Sequence, residues 1–208
     1  MSLVRRFVFQ VVLRLERLGG CIMRADPQRS YHPNMLHVPV FYDCPQHNIH
    51  LSWYPHAYPF YTGSGQWSDS RVKHAPSDIL DKLPSSGRYV VVIHLFMHFS
   101  REHTAILALH VKDTARAVRD LLKRNPSVKV FIIGPHFIGM NAFCVTCDLV
   151  VERGLRMVHH EFRELRDHVF LLNTWDMTVA LENCEVHPDS SLAGTVARMI
   201  LAYVCPYK

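Results

Sequence analysis

Val169-Phe170-Leu171-Leu172, then Asn173-Thr174-Trp175-Asp176-Met177-Thr178-Val179-Ala180, then Val186-His187-Pro188, then a helix-like stretch ending in Tyr203-Val204-Cys205: these lines of sequence decide the reading of the chain. The apolar run reads as a buried strand. It enters a polar loop that carries an acid and a histidine, and a packing helix over 190–204 follows, opened by the capping residues Asp189 and Ser190. Hydrolases of several α/β folds present the acid/base half of a catalytic triad in this order.

Working outward, Tyr89-Val90-Val91-Val92-Ile93-His94-Leu95 and Val128-Lys129-Val130-Phe131-Ile132-Ile133-Gly134 are two further buried strands. Between them the spacing predicts a helix over 105–123, with Leu107, Val111, Ala115, Val118, Leu121 and Leu122 inward, and a second helix is expected over 148–166. Continuous apolar strands separated by amphipathic helices mean a parallel sheet covered on both faces. The expected fold is therefore α/β, a three-layer α/β/α sandwich with a mainly parallel sheet.

At the opening of the chain, Leu3, Val4, Phe7, Val8, Val11, Val12, Leu15 and Leu18 recur at helical spacing until Gly19-Gly20. In α/β folds a strand precedes such a helix, and here the first strand is missing. Residues 25–88 are rich in Pro, His, Tyr, Ser and Gly and read as a long functional insertion with two strand-like pieces, 36–42 and 48–53.

With 208 residues, 49% hydrophobic and 20% charged, the chain has the size of one domain, 1–208. The net charge of +5 is scattered along the sequence, which argues against a nucleic-acid partner. No apolar run reaches the ~18 residues of a membrane span, and Arg5, Arg6, Arg14, Glu16 and Arg17 interrupt the opening residues, which excludes a signal-peptide core. The six cysteines, Cys21, Cys44, Cys144, Cys147, Cys184 and Cys205, fit either a few disulfides or buried thiols. Cys144 and Cys147 have C-x-x-C spacing without a second pair at zinc-ribbon distance, so no metal site and no cofactor is expected.

Chemistry in a parallel sheet gathers at the carboxyl ends of the strands. The loops there hold His98-Phe99-Ser100-Arg101, Pro135-His136, and Asp176 with His187. His187, just before Pro188 and a helix start, is the best candidate for a general base, against the competing reading that it only packs there. His98 is a candidate for positioning substrate, against the reading of a packed loop histidine.

Residues 171–178, followed by His187-Pro188 and the terminal Tyr203-Val204-Cys205, closely resemble the C-terminal domain of the NXPE (neurexophilin and PC-esterase) family. There a strand leads to an Asp-Ala-Trp-Asp-Met-Thr text, an Asp-x-x-His-Pro, and a final Cys. The stretch Tyr89 to Phe99 is similar to the family's strand ending in Gln-His-Phe, and the helix with Arg119, Leu121, Leu122 and Pro126 follows it. PC-esterase domains resemble SGNH or GDSL hydrolases, whose nucleophilic serine ends the first strand. In register with the family, Ser2-Leu3-Val4-Arg5-Arg6-Phe7 places Ser2 at the nucleophile and Met1 at the Asp of Gly-Asp-Ser, as in a chain truncated at its N-terminus.

The resemblance implies an SGNH-hydrolase-like domain acting on O-acyl esters of glycans, as a hydrolase or an O-acetyltransferase. Ser2 would be nucleophile and His187 base, and the family is secretory or resident in the Golgi lumen. The family's acid, three residues before the histidine, is replaced by Cys184, so that Glu185 or Glu182 substitutes or the dyad is lost. Asp176 is another carboxylate of the loop, with a structural role as its competing reading. The expectations are Ser2 near His187, a disulfide among the cysteines, and a weak or inactive hydrolase. The alternative is a non-catalytic secreted glycoprotein or binding domain. The oligomeric state is not legible.

Overall fold

The computed structural model describes residues 10–11, 22–24, 39–55, 74–96, 99, 103–137, 147–183, 188 and 190–205. The chain is mixed α/β, with a three-stranded parallel sheet and helices. Two compact units are present, Met1–His74 with Asp189–Tyr203, and Ala75–Pro188 with Val204–Lys208.

The second unit holds the parallel sheet. Its strands β4 (Val90–Ile93), β5 (Lys129–Ile133) and β6 (Val169–Leu172) lie in the order β4-β5-β6. The register pairs Val91 with Val130 and Val130 with Val169, so equivalent apolar residues stand side by side across the sheet. β5 is the middle strand, and Val130, Phe131, Ile132 and Ile133 are all buried. A central parallel strand has no solvent face, which is why its sequence does not alternate. Each such side chain contributes roughly 1.5–3 kcal/mol through burial.

Two helices make the crossovers, α2 (Thr104–Arg124) from β4 to β5 and α3 (Cys147–Glu161) from β5 to β6. Right-handed crossovers that add strands in one direction leave both helices on one face of the sheet. There they pack on each other. A Cβ added to Gly154 of α3 would lie 3.0 Å from Leu107 Cδ2 and 3.1 Å from Phe96 Cδ1, so the missing side chain is what permits the approach. His103 caps α2, its Nδ1 accepting from the Ala105 amide at 3.2 Å. At the other end Asn125 Nδ2 donates to the Gly87 carbonyl at 3.0 Å, and Gly87 takes a left-handed φ of 105°. This fastens the entries to β4 and β5 together.

A short helix, α1 (Pro76–Asp81), lies inside the stretch expected to be irregular. Pro76 at its first turn and the Asp78 carboxylate, which accepts from the Ala75 amide at 3.3 Å, start it. It packs on α2, where Leu80 and Ser77 are buried and Arg124 donates to the carbonyls of Leu80 and Leu83. α3 stops at Glu161, ahead of the expected Arg166, and a 3-10 turn at Arg163–Leu165 follows. The residues after β6, expected as a loop, form helix α4 (Thr174–Ala180).

In the other unit, β1 (Ile22–Arg24), β2 (Val40–Cys44) and β3 (Ile49–Trp53) form an antiparallel sheet in that order. A 3-10 turn at Pro45–His47 closes the β2–β3 hairpin, and Asn48 sits in the left-handed region at φ 51°, which asparagine tolerates. Asp43 and His50 face each other in this register, and Asp43 Oδ1 lies 2.5 Å from His50 Nδ1. Cys44 is buried and disulfide-bonded, in line with the disulfide expected from the sequence. Cys205 is exposed and free. Helix α5 (Ser190–Val204) buries Leu192, Ala193, Val196, Ala197 and Ile200, as its spacing predicts. Of the expected opening helix, Gln10 and Val11 are described, and both are helical.

Candidate functional site

The carboxyl ends of β4, β5 and β6 continue into His94-Leu95-Phe96, Gly134-Pro135-His136-Phe137, and Asn173 with α4. His94 and His136 are 8% and 1% exposed. Their rings stack, with centroids 6.2 Å apart and planes 13° apart. Two imidazoles thus sit side by side inside the domain where β4 and β5 end, and the Phe96 ring meets His94 edge-on at 6.3 Å. Burying such groups is costly unless hydrogen bonds or ring contacts hold them.

The β5 and β6 ends are joined by side chains rather than by a continued ladder. The last rung is Gly134 N–H donating to the Leu172 carbonyl at 2.8 Å. Gly134 is required here, because a Cβ would lie 3.0 Å from that same backbone oxygen. Beyond this point the chains diverge, and two hydroxyls from α4 take over. Thr174, 0% exposed, places Oγ1 2.8 Å from both the Gly134 and Pro135 carbonyls. Thr178, also 0% exposed, accepts the Phe137 amide at 2.7 Å while its hydroxyl lies 2.8 Å from the Thr174 carbonyl. Asn183 Nδ2 donates to the Phe137 carbonyl at 2.6 Å. Both backbone groups of Phe137 are therefore held by side chains of the α4 segment. The Phe137 and Trp175 rings meet edge to face at 5.4 Å and 82°.

α4 exists because Asn173 caps it. Its Oδ1 accepts from the Trp175 amide at 3.1 Å, and its Nδ2 donates to Asp176 Oδ2 at 2.9 Å. Asp176, one of the carboxylates singled out from the sequence, is exposed and bonded to this cap. Glu182 is exposed in the turn after α4, at a left-handed φ of 49°. Ser2, His98, Cys184, Glu185 and His187 lie outside the described residues. Thr174, Thr178 and Asn183 were not singled out from the sequence as functional. The signal available was a threonine pair four apart, one face of a helix, within the Trp175-Asp176-Met177-Thr178 text.

Behind the β4 end, the buried Phe99 ring rests on His110 of α2, with centroids 5.0 Å apart. Burial holds the His110 imidazole below its ordinary 6.5, against the charge of Asp113, which pulls upward. Asp113 is held below its ordinary 3.8. Burial pushes it up, and hydrogen bonds from Ser77 and Arg116 with the charges of Arg116 and His110 outweigh that. Arg116 reaches Asp81, Asp113 and Asp120 at 2.9, 3.1 and 3.4 Å on the exposed side of α2. Among the described residues no group of three His, Cys, Asp or Glu side chains is placed to hold a metal ion. No helix among them is long and apolar enough to cross a membrane.

A family model described as NXPE family member 4-like, C-terminal domain, matches residues 10–205. The chain belongs to the NXPE family. The matched span of this NXPE domain contains the whole parallel sheet, α4, Asp176, Glu185, His187 and His98, and begins eight residues after Ser2. No solved structure matches the chain.

Proposed function

We propose that this NXPE domain carries out weak acyl-ester chemistry of the PC-esterase, SGNH-like type on glycan O-acyl groups. In this reading Ser2 Oγ attacks the acyl carbonyl and its proton passes to His187. The sugar alkoxide leaves with that proton, and the acyl-serine is then opened by water or by a second glycan hydroxyl. Glu185 lies two residues before His187 in sequence. The observation that supports the reading is the family match, whose span includes a parallel sheet with β6 running into the Trp175-Asp176-Met177-Thr178 text and on to His187-Pro188. The disulfide at Cys44 agrees with a secretory or Golgi setting, where such bonds persist.

Turnover is weak in this proposal because Cys184 stands in the acid position, and a thiol does not charge-balance an imidazolium as a carboxylate does. The same residue, together with the engagement of Asp176 by Asn173, favours a second reading, a non-catalytic secreted glycoprotein or binding domain. Acetate release from an aryl acetate by the purified chain separates the two. A slow rate above the buffer rate that vanishes in Ser2→Ala and in His187→Ala supports the esterase. Equal rates in all three chains overturn it in favour of binding.

A further inference from the structure

Two large rings, Phe137 in the loop after β5 and Trp175 in the first turn of α4, stay partly open to solvent on the carboxyl edge of the parallel sheet. That edge is where sheets of this kind take their ligands. The rings meet edge to face at 5.4 Å and 82°, so each limits the other's rotation. Their backbones are held as well. Thr178 Oγ1 accepts from the Phe137 amide at 2.7 Å, Asn183 Nδ2 donates to the Phe137 carbonyl at 2.6 Å, and Asn173 Oδ1 accepts from the Trp175 amide at 3.1 Å. A ligand that settles on so fixed a ring pair orders little that was mobile before. Within the same turn Asn173 and Asp176 are exposed, and Asn173 Nδ2 donates to Asp176 Oδ2 at 2.9 Å. This bond uses one of the amide's two hydrogens and one of about four carboxylate lone pairs. An N–H donor and carboxylate acceptors therefore face water side by side, in the residues that flank an indole.

The ligand chemistry follows from that set. A sugar hydroxyl both donates and accepts, and two vicinal hydroxyls match a donor beside an acceptor. One face of a pyranose is lined with C–H bonds, whose positive hydrogens are drawn to the negative face of an aromatic ring. An alkyl chain would leave the Asn173–Asp176 pair unused, and a phosphate would meet the Asp176 charge. We propose that Trp175, backed by Phe137, and the Asn173–Asp176 pair form a subsite for one neutral hexopyranose unit of a glycan. The C–H face of the sugar stacks on the indole, and vicinal hydroxyls bridge Asn173 Nδ2 and the Asp176 carboxylate. The subsite consists of side chains alone and takes no part in bond breaking. It rests on the glycan acyl-ester reading, for which it supplies the recognition of the sugar.

The test uses the full chain with isotope-labelled tryptophan. NMR follows the indole N–H signal of Trp175, assigned by its loss in Trp175→Phe, during titration with methyl β-galactopyranoside, methyl β-glucopyranoside and methyl α-mannopyranoside. At least one of these glycosides is expected to move that signal saturably, with a dissociation constant on the order of 1 mM for a ligand so small. Asp176→Ala is expected to weaken the binding about tenfold or more, through the loss of a charge-assisted hydrogen bond. Cyclohexanol, a ring of the same size without vicinal hydroxyls, is expected to move the signal far less. Stillness with every glycoside overturns the proposal, as does cyclohexanol binding as tightly as the best of them, or undiminished affinity in Asp176→Ala. Where circular dichroism shows Asp176→Ala unfolded, saturation transfer from the wild-type chain to the glycoside decides: saturation concentrated on one C–H face supports stacking, and even saturation around the ring refutes it. None of these readouts needs turnover. A chain without aryl acetate hydrolysis loses the esterase reading and keeps the subsite if the titration succeeds, whereas a hydrolysing chain with a still Trp175 signal loses only the subsite.

Discussion

The imidazoles of His94 and His136 lie stacked 6.2 Å apart, one at the end of β4 and the other in the loop after β5. Ile93 pairs with Ile132, so β4 ends one residue short of β5, and both loops leave the same edge of the parallel sheet. A ring pair at such a place couples the two loops mechanically. Pairs of this type are worth about 0.5–1.5 kcal/mol beyond the area they bury.

The first prediction concerns that coupling. His136→Ala is expected to destabilise the chain by about 2–3 kcal/mol, through a cavity at a site 1% exposed. In a double-mutant cycle with His94→Ala, the two losses should fall short of additivity by about 0.5 kcal/mol or more. Urea unfolding of the four chains measures this, and strictly additive losses would show that the rings do not interact.

Two glycines should respond to alanine with opposite sign. At Gly134 the added Cβ meets the Leu172 carbonyl oxygen at 3.0 Å, and a backbone atom in a strand pair cannot move aside. Gly134→Ala should therefore cost about 1–3 kcal/mol. At Gly194, inside α5, the nearest atom is the flexible Gln10 Oε1 at 3.5 Å, so Gly194→Ala should gain up to about 1 kcal/mol from helix propensity. Urea midpoints compare the two, and a loss at Gly194 equal to that at Gly134 would contradict the geometry.

Acid should destabilise the second unit in two separate steps. His110, with its folded pKa below 6.5, binds fewer protons in the native state than in the unfolded chain as pH falls below 6.5. Stability is therefore unaffected by His110 above that pH and is lost from 6.5 downward, until the native imidazole also protonates. Asp113, lowered from 3.8, contributes stability that is present above 3.8 and is lost as pH falls through its folded value. His110→Gln should flatten the upper part of a plot of unfolding free energy against pH, and Asp113→Asn the lower part. A His110→Gln profile parallel to wild type between neutral pH and 5 would count against the burial argument.

The strands and the long helices were legible because their signals are local. Val130 to Ile133 is continuous and apolar because it is buried on both faces, and Leu107, Val111, Val118 and Leu121 repeat with the helical period. α4 was not legible, since Asn173, Thr174, Asp176 and Thr178 are residues that favour turns. Their side chains find uses that only the tertiary structure supplies: Asn173 caps, while Thr174 and Thr178 bond the β5 loop about forty residues upstream. α1 was hidden by its brevity and its Pro-rich surroundings. The stacking of His94 on His136 became legible only with the strand order, because nothing in either loop names the other. Of the carboxylates picked for chemistry, the described structure locates Asp176, bonded to the cap of α4, and Glu182, exposed in the turn after it.

That location allows a decisive substitution. Asp176→Asn keeps an oxygen that can accept from Asn173 Nδ2 and removes only the charge, on a side chain that is exposed. If Asp176 serves the α4 cap, the variant should lose less than about 1 kcal/mol of stability, the loss of one exposed charge-assisted contact near a helix start. Its aryl acetate turnover should then match wild type. Asn173→Ala, by contrast, removes the cap itself and should cost about 1 kcal/mol. If Asp176 instead orients the His187 base, the Asn variant should fall by about ten-thousand-fold in turnover, to the buffer rate, at unchanged stability. Measuring the melting curve and the hydrolysis rate on the same preparation distinguishes the roles, because capping moves the first and orientation moves the second. The expected outcome is a small shift in melting and an unaltered rate. A collapsed rate with an unmoved melt would return Asp176 to the catalytic apparatus.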